Sequence, residues 1–254
     1  MKRLLILSLA LLNASILLGQ STQWNSPAVL GEAPKGDDIF AFANFMAKRN
    51  PLNDLMFSEV RTRNIIIDPA TVGSPYISEE FEPCSLYYKD ELAEQLYYRY
   101  NGLNDEVELK ESLTSEGIFS LNLDRNITLV SKDAILSLET LNTPKNGVRN
   151  GYVNRLYKGS TISLYERIKS KFSEGMRAQS SMVRSTPDKF SQFTQHYIQF
   201  EDQKLLEFIP TKKRKLINAL PDKLQSKAIS LFEENKYDLR TTSGLTAFIS
   251  DLDN

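Results

Sequence analysis

The feature that most constrains this sequence is a change of hydrophobic period at Pro210. Upstream, short runs alternate polar and apolar residues, and turn residues punctuate them roughly every 8–12 positions. Ser85–Lys89 and Gln95–Tyr100 are aromatic runs of the kind that cover a half-buried pleated surface. Glu106-Val107-Glu108-Leu109-Lys110 alternates strictly, which puts both glutamates on one face. Ile118–Leu123, Ile127–Val130 and Ala134–Leu138 continue the series. Gly151–Ser160 and Thr161–Phe172 read as a hairpin turning at Lys158-Gly159-Ser160, and Gln195–Phe200 with Lys204–Ile209 as another. Earlier, Arg63–Asp68, with Ile65-Ile66-Ile67, reads as a buried strand ending at Pro69. Strands at this spacing pair antiparallel; βαβ units would need helices between them.

Downstream of Pro210 the apolar spacing becomes helical over Lys212–Leu220, Asp222–Asn235 and Thr242–Leu252. Pro221 suits the start of the second helix, and Thr241-Thr242-Ser243 offers a cap for the third. Leu224, Ala228, Ile229 and Phe232 are expected to form one buried stripe. Asp37-Asp38 followed by Ile39, Phe40, Phe42, Phe45 and Met46 predicts a further helix that stops before Pro51. The expected fold is α+β: a mainly antiparallel β-sheet, as a sandwich or open barrel, with a short N-terminal helix and a C-terminal helical cap. It is read as one domain over 37–254, β-rich over 63–209 and helical over 211–252.

The first residues carry an address. Met1-Lys2-Arg3 precedes an apolar run from Leu4 to Leu18, which is too short for a membrane span of about 20 residues. It fits a secretory signal peptide over 1–19, cut near Gly19-Gln20 and followed by a flexible leader over 20–36. The mature chain is then exported, periplasmic or secreted, with no transmembrane span after cleavage.

Composition removes most motif-readable chemistry. A single Cys and a single His leave no disulfide framework and no zinc site built on paired thiolates or imidazoles. No metal or cofactor is expected, and nucleic acid is not expected for an exported chain of pI about 6.0. His196 has no Gly-x-Ser-x-Gly elbow to serve, so a hydrolase triad is not indicated. Cys84 is a lone thiol, more often an inert core residue than a nucleophile. Carboxylates are abundant: Glu79, Glu80, Glu82, Glu91, Glu94, Asp105, Glu106 and Glu108 offer material for a two-carboxylate hydrolase. Calcium and phosphate loops are absent from the sequence.

Charge is segregated along the chain. Residues 73–143 hold 14 acidic and 5 basic residues, a balance of −9; residues 144–220 hold 15 basic and 6 acidic, a balance of +9. Either the two halves attract each other within one fold, or the basic half offers a face to an anionic ligand. Two surfaces are candidates for binding. Tyr76, Tyr87, Tyr88, Tyr97, Tyr98 and Tyr100 crowd one stretch, and Tyr88, Tyr98 and Tyr100 with Arg99 could contact a glycan or protein. Lys212, Lys213, Arg214 and Lys215 form a basic run suited to an anionic lipid or glycan.

Gly73-Ser74-Pro75-Tyr76, Tyr88-Lys89-Asp90, Tyr98-Arg99-Tyr100-Asn101 and Asp105-Glu106-Val107-Glu108 together resemble a family of exported proteins from Bacteroidota-type bacteria. Gly151-Tyr152, Leu156-Tyr157-Lys158-Gly159, His196-Tyr197-Ile198, Lys212-Lys213-Arg214-Lys215 and Pro221-Asp222-Lys223 extend the resemblance over most of the mature chain. That family has no established activity, so the resemblance implies no catalytic residue. The expectation is an exported soluble binding or envelope-associated protein whose partner is an envelope glycan, an anionic lipid or another protein. The alternative is a carboxylate-dependent hydrolase of envelope glycans.

Overall fold

The structure is a computed structural model that describes residues 56–60, 70–177, 184–201 and 203–254. The expected signal peptide, leader, N-terminal helix and isoleucine strand lie outside the described residues. Eleven strands are described: β1 (Phe57–Glu59), β2 (Glu82–Tyr88), β3 (Glu91–Asn101), β4 (Glu106–Lys110), β5 (Phe119–Leu121), β6 (Ile127–Ser131), β7 (Ile135–Thr143), β8 (Gly147–Lys158), β9 (Ile162–Ser173), β10 (Lys189–Phe200) and β11 (Leu205–Ile209). Three helices follow, α1 (Lys213–Ala219), α2 (Asp222–Glu234) and α3 (Thr242–Asp253), where the period changes. Among the described residues no helix is long and apolar enough to cross a membrane.

The strands form one hydrogen-bonded sheet in the order β1-β5-β4-β3-β2-β6-β7-β11-β10-β9-β8, with a further β7–β8 pairing. The organising strand is β7. One of its edges pairs with β8 from Leu136↔Asn154 to Thr143↔Gly147. Its other edge is shared: Ile135–Ser137 pair with β6, and Thr140–Asn142 pair with β11. Pairing therefore runs β7-β8-β9-β10-β11 and back to β7. Directions that alternate around five strands cannot close without one parallel contact, and β7–β11 is that contact. All the other strand pairings are antiparallel, as the turn spacing predicts.

Alternation along each strand sorts the apolar residues into three clusters. Leu141, Val153, Tyr165, Tyr197 and Leu206, one from each strand of the circuit, form one of them. Leu86, Leu96, Tyr98, Tyr100, Val107, Leu109, Ile127 and Leu129 lie in a second cluster, on one face of β2–β7, where Phe57 meets Phe119 edge-on at 5.4 Å. The helical cap forms the third. Leu216, Ala228, Leu245, Phe248, Ile249 and Leu252 pack against Ile162, Leu164, Ile198 and Ile209 of the strands. Thr241 caps α3 by accepting from the Gly244 N–H at 3.1 Å. The expected stripe on α2 is narrower than the spacing suggests: Ala228 is buried and Leu224 and Phe232 partly so, but Ile229 is 46% exposed.

Candidate functional site

The β2–β3 connection is a two-residue turn, Lys89-Asp90, with both residues at positive φ, the geometry that matches the twist of paired strands. It fixes the register of β3 against β2 and β4 and so brings Arg99 opposite Glu108. Arg99 Nε donates to Glu108 Oε2 at 2.8 Å, and its Nη2 donates to the Tyr76 hydroxyl at 3.0 Å. The guanidinium also stacks 3.9 Å from the Tyr76 ring centre and 4.6 Å from that of Phe81. Asn101 Nδ2 donates to Glu108 Oε1 at 3.1 Å, while Asn101 Oδ1 accepts from the Leu103 and Asn104 N–H groups. Burial and the Glu108 charge push the Tyr76 phenol well above its ordinary value.

A second polar cluster joins β3 to the five-strand circuit. Asp105, held at positive φ, accepts from the Tyr100 hydroxyl at 2.5 Å, from the Tyr152 N–H at 3.3 Å and from Arg167 of β9. The Arg167 side chain is 1% exposed. Burial acts to lower its guanidinium, but Asp105 and the phenols of Tyr100 and Tyr197 outweigh that and hold it above the ordinary value. Gly151 makes the contact possible, because a Cβ there would lie 2.7 Å from Arg167 Nη2 and 2.9 Å from Asp105 Oδ2.

Between these clusters is a cavity of about 260 Å³. Tyr98, Arg99 and Tyr100 of β3 and Glu82 of β2 line it on one side, and Tyr152, Asn154, Glu166 and Arg167 of β8 and β9 on the other. Ile77, Glu80, Asp133 and Leu136 complete much of the wall. Four carboxylates and two guanidinium groups therefore share one concavity with tyrosine rings. Such a surface can hydrogen-bond hydroxyl groups in many directions while offering apolar contact. The tyrosine hydroxyls already have partners: Tyr98 pairs with Ser131 at 3.0 Å and Tyr152 donates to the Asn122 carbonyl at 3.0 Å. Tyr98 and Tyr100 are each 8% exposed, so they pack in the core as well as lining the cavity.

The remaining candidates fall elsewhere. Tyr88 ends β2, packs against the core with Lys89 over its ring, and does not line the cavity. Lys212, Lys213, Arg214 and Lys215 are exposed at the start of α1. Lys213 sits 4.7 Å over the Phe232 ring and shares a shallow concavity with Arg214, Ile217 and Ile229. The structure therefore unites Tyr98, Arg99 and Tyr100 and leaves the basic run apart from them. Cys84 is buried, and burial pushes its thiol up to about 12, which disfavours the thiolate that nucleophilic chemistry needs. His196 is buried too, with its imidazole lowered by burial. Among the described residues no group of three or more His, Cys, Asp or Glu gathers to hold a metal.

Sequence reasoning overlooked Arg167. Its signal was present: it shares the inward parity of Tyr165 on β9, and an arginine in an apolar parity position needs a partner. Asp105 and Glu108 belong to quoted motifs but read there as turn and strand residues. Set against known protein families, characterised proteins and solved structures, the chain matches none of them.

Proposed function

We propose that this chain is an exported protein of the cell envelope, periplasmic or secreted, that binds a small hydroxyl-rich ligand without transforming it, a short envelope glycan being the chemistry the cavity suits best. The export half of the reading rests on the basic start and short apolar run at the N-terminus, together with the resemblance to exported Bacteroidota proteins. The binding half rests on one observation: Tyr98, Arg99 and Tyr100 line a single cavity with acceptors and donors of both charges. Its volume is just below the usual ligand-pocket range of about 300–1,000 Å³, so it takes one small unit of a longer chain. We also read the closed β7–β11 circuit as a barrel, with the other six strands as a sheet continuing from the β6 edge of β7.

A second reading has its own support. Glu80, Glu82, Asp133 and Glu166 converge on the same cavity, as a two-carboxylate hydrolase requires. Such an enzyme keeps one carboxyl protonated by raising its pKa. Binding is the better reading because the cavity sets guanidinium groups and tyrosine rings among those carboxylates rather than holding carboxylates alone.

The experiment is calorimetric titration of the mature protein with neutral and amino-sugar fragments of envelope glycans, with reducing ends assayed in parallel. Saturable binding without hydrolysis, lost in the cavity-filling variant Ile77→Trp at unchanged melting temperature, supports the proposal. Release of reducing ends that Glu82→Gln or Glu166→Gln abolishes would replace it with the hydrolase reading.

A further inference from the structure

A second concavity, of about 330 Å³, opens at one end of the five-strand circuit and has a different character. Two residues beyond the Tyr165/Tyr197 layer, β9 presents Arg167 opposite Gln195 of β10, and two residues further Lys169 stands opposite Phe193. The β7–β8 turn adds Lys145, and β8 adds Arg149. Four of the lining side chains are cationic and none is a carboxylate. The cavity between β2–β3 and β8–β9, with its four carboxylates, is the opposite case.

Three observations point the same way. Arg167 is buried, and its Nε has no hydrogen-bond partner among the described residues, although Nη2 is engaged by Asp105. A buried guanidinium whose donors are not all matched keeps a net positive field at this end of the circuit, which favours an anion in the adjoining concavity. The positive field of the group is felt inside the circuit: burial raises the Tyr197 phenol, while Arg167 and Arg149 both pull it back. Gln195, whose Oε1 accepts from the Tyr197 hydroxyl at 3.3 Å, adds an amide donor at the same level. Planar guanidinium groups backed by lysines are the donor set that suits tetrahedral oxyanions.

We propose that this end of the circuit binds a small oxyanion of the phosphate or sulfate class, held by Arg149 and Arg167 with Lys145 at the rim. The site is separate from the glycan cavity and does not depend on it, although Arg167 forms part of both walls. It also assigns a position to the positive half of the segregated charge, away from the Lys212–Lys215 run. The oxyanion is either a soluble phosphate or sulfate group or the headgroup of an anionic lipid.

The test is titration of the mature protein, followed by amide NMR shifts at low ionic strength, with inorganic phosphate, sulfate and chloride at matched ionic strength. Sedimentation with phosphatidylcholine vesicles, with and without phosphatidylglycerol, runs beside it. Saturable shifts with phosphate or sulfate but not chloride assign a soluble ligand. Retention by the phosphatidylglycerol vesicles without such shifts assigns a lipid headgroup. In either case Arg149→Gln/Lys145→Gln should weaken binding by about tenfold or more, the effect of losing charge-assisted hydrogen bonds. Replacing Lys212, Lys213, Arg214 and Lys215 by Gln should leave it unchanged. The double variant leaves the buried Arg167–Asp105 pair intact, so the test does not disturb the fold at that contact. A response to phosphate equalled by chloride, absence of both responses, or wild-type binding by the double variant would overturn the proposal.

Discussion

Asp105 and Arg167 stand 62 residues apart in sequence and form an ion pair where the β3–β4 turn meets β9. One partner comes from the acidic stretch and the other from the basic stretch, so this contact is one place where the segregated charges do meet inside the fold. Removing one member of a buried pair strands the other, which typically costs about 3–5 kcal/mol. Asp105→Asn isolates that effect, because asparagine accepts the positive φ at this position. The variant should lose about 3 kcal/mol in urea unfolding with an unchanged denaturant slope. Asp105→Asn/Arg167→Met should recover part of the loss, since no buried charge is then left unpaired. A double variant less stable than Asp105→Asn would show that the guanidinium contributes through contacts other than this one.

How much of this was legible in the sequence depends on what covers each face. The hairpins and the three helices were readable because turn residues and a change of period are local signals. The sequence pattern starts this strand at Gln195, yet β10 starts at Lys189, because an unbroken ladder to β9 carries residues 189–194 into the sheet. β4 is the strand its alternation predicts, but alternation puts the two glutamates on one face without saying what covers it. In fact Glu106 is 0% and Glu108 1% exposed: Arg99 and Asn101 stand opposite them on β3 and both donate to Glu108, and Tyr76 comes in from outside the hairpin to meet Arg99. Long-range closure of the circuit through the parallel β7–β11 contact leaves no local trace either. Buried charge pairs are invisible to periodicity for the same reason: their partners are set by topology.

The helical cap offers a direct comparison between two residues of α2. Phe232 stacks on Phe248 at 4.5 Å and 17° and meets Tyr237 edge-on, whereas Ile229 is largely exposed. Phe232→Ala should therefore cost roughly 3 kcal/mol, at the low end for a truncated phenylalanine because the ring is only partly buried. Ile229→Ala should stay within about 0.5 kcal/mol, as surface changes do. Equal unfolding midpoints for the two variants would mean that the stacked rings add nothing beyond helix propensity.

Export makes a prediction that needs no ligand. A basic start, a short apolar run and the small Gly19 before Gln20 predict a mature chain beginning near Gln20. N-terminal sequencing of protein recovered outside the cytoplasm checks it. A secreted chain still carrying Met1 would count against a cleaved signal.

Asp253 ties the end of α3 to the β8–β9 turn. A carboxylate in the last turn of a helix opposes the helix dipole, so it needs compensation from elsewhere. Its two oxygens accept from the N–H groups of Ser160, Thr161 and Ile162 at 2.7, 2.8 and 2.7 Å, and from the Thr161 hydroxyl at 2.6 Å. Gly159 leaves the necessary room, since a Cβ there would lie 2.0 Å from Asp253 Oδ2. Burial acts to raise the carboxyl, but the hydrogen bonds from Thr161, Ser160 and Ile162 outweigh it and hold the group well below the usual carboxylate range. In the unfolded chain the same group titrates near 3.9. The native state therefore keeps it ionised where the unfolded chain protonates it, and its contribution is complete above about pH 5 and fades as the pH falls below about 4. Asp253→Asn should lower stability at neutral pH by about 1–2 kcal/mol, allowing for solvent screening of this partly exposed group. The gap should shrink as acid protonates the wild-type carboxyl. Urea midpoints measured for both proteins from neutral to acid pH check this, and curves that remain parallel throughout would show that the bonds work equally well without the charge.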